Sequence, residues 1–273
     1  MTDTETYRSW GNELEQRLRL RSHPLAIRLL EDESEVPDEA IRPSVDEDHR
    51  LSLCQAFERS RREGETIAML GGDMWCFEPV VGYGLEEPPG SFLDGDNRYP
   101  KDVATREAGR RFAEEFPKLD AGKFVGILSA PLGSTPFRPH VVTTYLDSEQ
   151  LSLLMMGREY RLGGNLTCSL SAHAACVYGI VPALQEKRCQ VAVPCRGDRY
   201  SAMANPDEMI ATVPTQELGD IDGLTISDVI EGLREVEKTG TKLPSGRKTQ
   251  AAYPLPESYE RIASEMEYFE SSP

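Results

Sequence analysis

The sequence is short of the features that most readily announce a function. No stretch approaches the roughly 20 consecutive apolar residues of a membrane-spanning helix. The opening MTDTETYRSWGNELEQRLRLRSHP carries no apolar signal-peptide core, so the expected location is the cytoplasm. The glycine-rich GYGLEEPPG lacks the spacing and the strand–turn–helix setting of a dinucleotide fingerprint, no phosphate-binding P-loop is present, and no G-x-S-x-G marks a serine hydrolase. Lysine is scarce, with seven against 23 arginines, and 46 acidic residues against 30 basic ones give a formal charge of -16. A chain this acidic repels phosphate backbones and anionic lipid, which argues against nucleic-acid and membrane partners. Its expected partners are a small-molecule substrate or a redox protein, with a homo-oligomer left open.

What is present is an ordinary globular composition, 39% hydrophobic and 28% charged, in a 273-residue chain long enough to bury a sizeable core. The periodicity alternates between helical and strand patterns with no low-complexity linker, so residues 1–273 are expected to form one domain. Strands are expected at HPLAIRLL, TIAML, KFVGILSAPL, HVVTTYL, RCQVAVPC and DEMIATVP. Helices are expected over about 5–20, at CQAFERSRREGE, over 101–116, and at EQLSLLMMGREYR behind a Ser148 cap. A helical tail fills about 220–273, its first helix ending at Gly240. Helices alternating with strands point to an α/β or α+β fold, a mixed sheet flanked by helices.

Six cysteines, at 54, 76, 168, 176, 189 and 195, are many for a reducing compartment, where disulfides are rare and clustered thiols suggest metal binding or catalysis. None of the local C-x-x-C spacing of zinc ribbons or bacterial ferredoxins occurs. Cys54 opens a helix, where the dipole and free amides favour a thiolate. In VAVPCRGDRY, Cys195 ends an apolar run beside Arg196 and Arg199, which favours its thiolate too. In TCSLSAHAACVYG, His173 and Cys176 stand three apart and would be neighbours on a helix. Cys189 alternates with Val191, Val193 and Cys195 and reads as core. Metal or cluster ligation, a lone catalytic thiol and plain burial all remain open on these patterns. The pairs Cys54–Cys76 and Cys176–Cys195 each flank a strand, with glycine and tyrosine following closely, which suggests two quasi-repeated halves of about 20–100 and 120–215.

In order and character, HPLAIRLL, LSLCQAFERSRREGET, MWCFEPVVGYGL, FRPHVVTTYLDSEQLSLLM, CVYGIV, VAVPCRGDRY and DEMIATVP resemble a prokaryotic family, domain of unknown function 169, common in anaerobes and archaea. The resemblance runs from about 20 to 215. Its motifs fall on Cys54, Cys76, Cys176 and the loop Pro194, Cys195, Gly197 and Arg199; Cys168 and Cys189 lie outside it. The family carries no established reaction, but the recurrence of four cysteines implies a [4Fe-4S] cluster held by Cys54, Cys76, Cys176 and Cys195. Arg196 and Gly197 would border it, and Arg196 and Arg199 would offset its charge. If one iron stays open, His173 as acid/base and Arg199 holding a carboxylate would suit a lyase or hydrolase; a closed cluster would suit electron transfer or sensing. The alternatives are a structural four-cysteine zinc site in an interaction protein, or a metal-free enzyme with Cys195 as nucleophile.

Overall fold

Six apolar runs become strands: β1 (Leu25–Leu30), β2 (Ile67–Leu70), β3 (Gly126–Pro131), β4 (Val141–Leu146), β5 (Gln190–Ala192) and β6 (Met209–Pro214). They pair into one sheet in the order β2-β3-β1-β4-β6-β5. The computed structural model describes residues 3–219, 224–239, 261–262 and 265–266. Its contacts divide the chain into Met1–Leu243 and Pro244–Pro273. The helices are α1 (Thr4–Leu18), α2 (Pro43–Asp46), α3 (Leu53–Glu58), α4 (Phe77–Gly82), α5 (Gly90–Leu93), α6 (Arg106–Glu115), α7 (Ser148–Leu162), α8 (Ala175–Tyr178), α9 (Val181–Glu186), α10 (Arg196–Ser201) and α11 (Ile226–Lys238). The first tail helix is therefore α11; its expected stop at Gly240 and most of the second tail helix lie outside the described residues.

The fold is α+β, and the expected mixed sheet is corrected: every strand pairing is antiparallel. The reason lies in where the third strand goes. Helix-bearing connections do link two strands of like direction, β1 to β2 and β4 to β5, as alternating helix and strand patterns imply. Each such pair leaves a slot that an antiparallel strand fills, β3 in one case and β6 in the other. Periodicity reports the connection but not the slot.

From the centre outward, both sides of the sheet run first, third, second: β1, β3, β2 on one side and β4, β6, β5 on the other. The registers correspond as well. Leu25 faces Pro131 as Val141 faces Pro214, and Ile67 faces Ser129 as Gln190 faces Thr212. The flanking amides follow suit, Leu132 N–H donating to Pro24 O and Thr215 N–H to His140 O. The expected boundaries of 20–100 and 120–215 do not follow these strands, because β3 lies between β2 and β1 rather than with β4 to β6.

Both faces of the sheet are covered, which is why the strands read as continuous apolar runs rather than as alternating ones. On one face, Ala26, Leu30, Leu128, Val142, Leu146 and Val213 pack against Tyr7 and Leu14 of α1, Leu154 of α7 and Val229 and Leu233 of α11. Asp147, rather than the expected Ser148, caps α7: its carboxylate accepts from the amides of Glu149 and Gln150, while the Gln150 side chain returns to the Asp147 amide. Helices α7 and α11 cross at glycines, and a Cβ on Gly232 would come within 1.9 Å of the Gly157 carbonyl oxygen. On the opposite face, Leu25, Ile27, Leu29, Met69, Ile127, Tyr145 and Ile210 meet Phe57 of α3, Val81 of α4, Val177 of α8 and Val181 of α9. This second layer consists of short helices, and their first turns carry the cysteines.

Candidate functional site

Ser52 caps α3: its hydroxyl accepts from the Gln55 amide and the Gln55 side chain accepts from the Ser52 amide. That box makes Cys54 the second residue of the helix and sets its Sγ 3.0 Å from Ser52 Oγ. Cys176 is likewise the second residue of α8. Cys76 and Cys195 are the N-cap residues of α4 and α10. Each of these two caps donates its thiol to a carboxylate in the first turn that follows, Cys76 to Glu78 Oε2 at 2.9 Å and Cys195 to Asp198 Oδ2 at 3.5 Å.

These four thiols, drawn from four helices more than 140 residues apart at their extremes, line one cavity of about 130 Å³. His173, Arg196 and Gly197 share its wall with Ser52, Glu78 and Trp75. The Gly197 backbone lies against two of the sulfurs: a Cβ there would make ordinary contact at 3.6 Å from Cys195 Sγ and 3.7 Å from Cys54 Sγ. Cys189 does not take part. It is buried among the apolar side chains of the opposite face, as expected for a core residue. Cys168 accepts the Val191 amide at 3.2 Å beside β5. All six cysteines are free thiols. Among the described residues, no three His, Cys, Asp or Glu side chains close on a single point as one bound metal ion would require.

The electrostatics reverse one expectation. Burial pushes the Cys54 thiol up to about 12, helped by Asp198. Burial and then Asp198 raise Cys195, burial and then Glu78 raise Cys76, and burial together with the neighbouring thiols holds Cys176 well above the ordinary range. Backbone amides at these helix starts do pull Cys54 and Cys195 down, but burial, followed by the Asp198 carboxylate, outweighs them. Asp198 is fully buried, accepts the Tyr145 hydroxyl at 2.9 Å, and is itself pushed up by burial. Beneath it, the Arg61 guanidinium lies 4.2 Å over the Tyr145 ring and 3.6 Å from Glu208, and both charged side chains are essentially inaccessible.

Two expected placements differ in the structure. Arg199 does not border the cavity: its guanidinium donates to the carbonyl oxygens of Pro194 and Asn205 and braces the loop. His173 does border the cavity, but not as a helical neighbour of Cys176. Helix α8 begins only at Ala175, after Ala174 adopts a left-handed conformation at φ 47°. Sequence reasoning missed Glu78, Arg98, Asp198, Tyr145 and Arg61. The first and third had a local signal, a carboxylate two or three residues after a cap cysteine; the others arrive from distant segments and had none.

The chain matches the family model for domain of unknown function 169 (DUF169), described as an uncharacterised ArCR family, over residues 13–222. An uncharacterized protein of Methanocaldococcus jannaschii, MJ0308, is 22% identical over 241 residues, covering 87% of this chain and 99% of that relative. No solved structure matches. The match takes in all six strands, the four cavity cysteines and the short helices that carry them, and on that ground the chain belongs to the DUF169 family.

Proposed function

We propose that this protein binds a [4Fe-4S] cluster through Cys54, Cys76, Cys176 and Cys195, and acts from the cytoplasm on a small polar substrate or a redox partner. The observation that carries the reading is the convergence of these four thiols, and no other cysteines, on one cavity. Their placement is paired: a second-residue cysteine and a cap cysteine come from each side of a sheet whose two sides match in strand order and register. We take the two sides as quasi-repeated halves, each contributing two ligands. Four thiolates are the usual ligand set of such a cluster.

When bound, the cluster would supply one-electron transfer, or Lewis acidity at an iron left open. The chain's own part is to exchange thiol protons for the cluster as it loads. Glu78 and Asp198 already accept the two cap thiols, so those protons have a first destination. The proposed cytoplasmic setting keeps cysteines reduced, which suits six free thiols. No described helix is long and apolar enough to cross a membrane.

The alternatives predict different measurements. A single zinc needs its sulfurs about 3.8 Å apart around one ion, from a Zn–S bond of about 2.3 Å, and no three of the described side chains close on one point in that way. A Cys195 nucleophile needs a thiolate, whereas burial and Asp198 hold that thiol protonated. The test is anoxic purification followed by visible absorption and iron, acid-labile sulfide and zinc per chain. About four irons and four sulfides, lost when any one of the four cysteines becomes alanine, would support the cluster. One zinc per colourless chain would turn the reading to a scaffold. No metal, with one fast-alkylating thiol at Cys195, would turn it to thiol catalysis.

A further inference from the structure

The wall of the thiol cavity carries one imidazole, and its surroundings fix which nitrogen bears the proton. Arg98 Nη1 lies 3.2 Å from His173 Nδ1. A guanidinium only donates, so Nδ1 accepts and the ring hydrogen belongs on Nε2. Arg98 is itself locked. Its Nη1 also reaches Asp102 Oδ2 at 3.1 Å, its Nη2 reaches Glu78 Oε1 at 3.1 Å, and its guanidinium lies 4.3 Å over the Phe112 ring. Phe112 in turn meets the His173 ring edge-on at 5.7 Å. At 5% exposure, Arg98 is a buried clamp rather than a surface charge.

This leaves two donors unspent on the cavity wall. Among the described residues, His173 Nε2 makes no hydrogen bond, and the Arg196 guanidinium makes neither a hydrogen bond nor an ion pair, resting 5.5 Å from the Tyr200 ring. The nearby carboxylate of Glu78 is bonded to neither of them; one of its oxygens meets Arg98 and the other the Cys76 thiol. An N–H donor and a planar guanidinium on one wall suit a carboxylate, whose two oxygens accept from both. We propose that His173 and Arg196 form an anion-binding subsite for a small carboxylate beside the four thiols, with Arg98 as the positioning residue that presents His173 Nε2–H. The subsite goes beyond the cluster reading and does not depend on it, because its donors are not the thiols. It also moves the carboxylate-holding role from Arg199, which is occupied, to Arg196.

The experiment uses the full-length protein as purified under anoxia and acetate as the probe, with binding followed by saturation-transfer NMR and the ring nitrogens by long-range correlation on ¹⁵N-histidine-labelled protein. The expected result is saturable acetate binding that H173F and R196Q each weaken at least about tenfold, the ordinary loss of one charge-assisted hydrogen bond. Wild-type His173 should show the Nε2–H tautomer. In R98K, with circular dichroism unchanged, the ring should lose that single tautomer and acetate should bind more weakly. Equal acetate binding in wild type, H173F and R196Q, or an Nδ1–H tautomer in the wild type, would overturn the subsite. Iron measured on the same samples reports separately on the cluster.

Discussion

The two faces of the sheet solve opposite problems. Against α1, α7 and α11 the contact is apolar, closed by leucines, valines and a glycine crossing in which one backbone rests on another. Against α3, α4, α8 and α10 the sheet buries ionisable groups instead: Arg61, Asp198, Glu208, the Tyr145 hydroxyl and the thiols of Cys54 and Cys176, with those of Cys76 and Cys195 half-buried beside them. Burying a charge is costly unless it is paired, so the second face would be a poor choice for stability alone. The difference teaches that one face holds the fold while the other holds a polar cavity in place, and the two should respond differently to mutation.

The largest expected effect falls under the cavity. Arg61→Ala removes the cation facing Glu208 and Asp198 and leaves those carboxylates buried without it; the expected loss is about 3–5 kcal/mol, read by urea unfolding. An Arg61→Ala variant as stable as wild type would mean that this face is not held by its ion pair. On the apolar face, Gly232→Ala drives a methyl into the Gly157 carbonyl and should cost about 1–3 kcal/mol by forcing α7 and α11 apart. If the proposed cluster is present, metal content per folded chain should stay unchanged there, and a parallel loss of metal would erase the separation of the faces.

A pH experiment sharpens the contrast with a smaller effect. His140 receives the Leu29 amide on Nδ1, and burial, followed by Arg28, depresses it from 6.5 to about 4. The unfolded state therefore binds the proton more readily, so stability is full above about pH 6.5 and declines as pH falls toward 4. About 1–3 kcal/mol of pH-dependent stability should follow from a shift of this size. His140→Gln should flatten the slope of unfolding free energy between those limits; an unchanged slope would assign the dependence to other groups.

The smallest effect separates the cysteines themselves. Cys189→Ala, on the apolar face, should cost about 1 kcal/mol and leave the proposed iron binding intact, whereas Cys54→Ala should change stability little and abolish that proposed binding. If both substitutions removed iron, the assignment of thiols to faces would fail.

Much of this architecture was legible. The strand runs, the helix at α7 and the core place of Cys189 follow from apolar periodicity, which is a local property; the same alternation grouped Cys195 with Cys189, but β5 ends at Ala192 and Cys195 packs on the opposite face. The helix over 101–116 was legible only in part, because the chain before Thr105 stays irregular and the cap there starts α6 at Arg106. That four cysteines and His173 would lie together was legible through the repeat and the family resemblance, and they line one cavity, but its electrostatics were not legible. Arg196 and Arg199 stand next to Cys195 in sequence, yet the charge that decides its thiol is Asp198, turned inward onto Tyr145 of β4. Arg98, absent from every motif, reaches His173 across 75 residues.

The sequence by itself determined the six strand segments, the longer helices and the helix start at Cys54, because spacing, caps and glycines act within a few residues. Only the tertiary structure decided that all strands pair antiparallel, that four of the thiols share one cavity, and that they are held protonated there. Those outcomes depend on which distant segments fill the same space and on how far burial withdraws a charge from water.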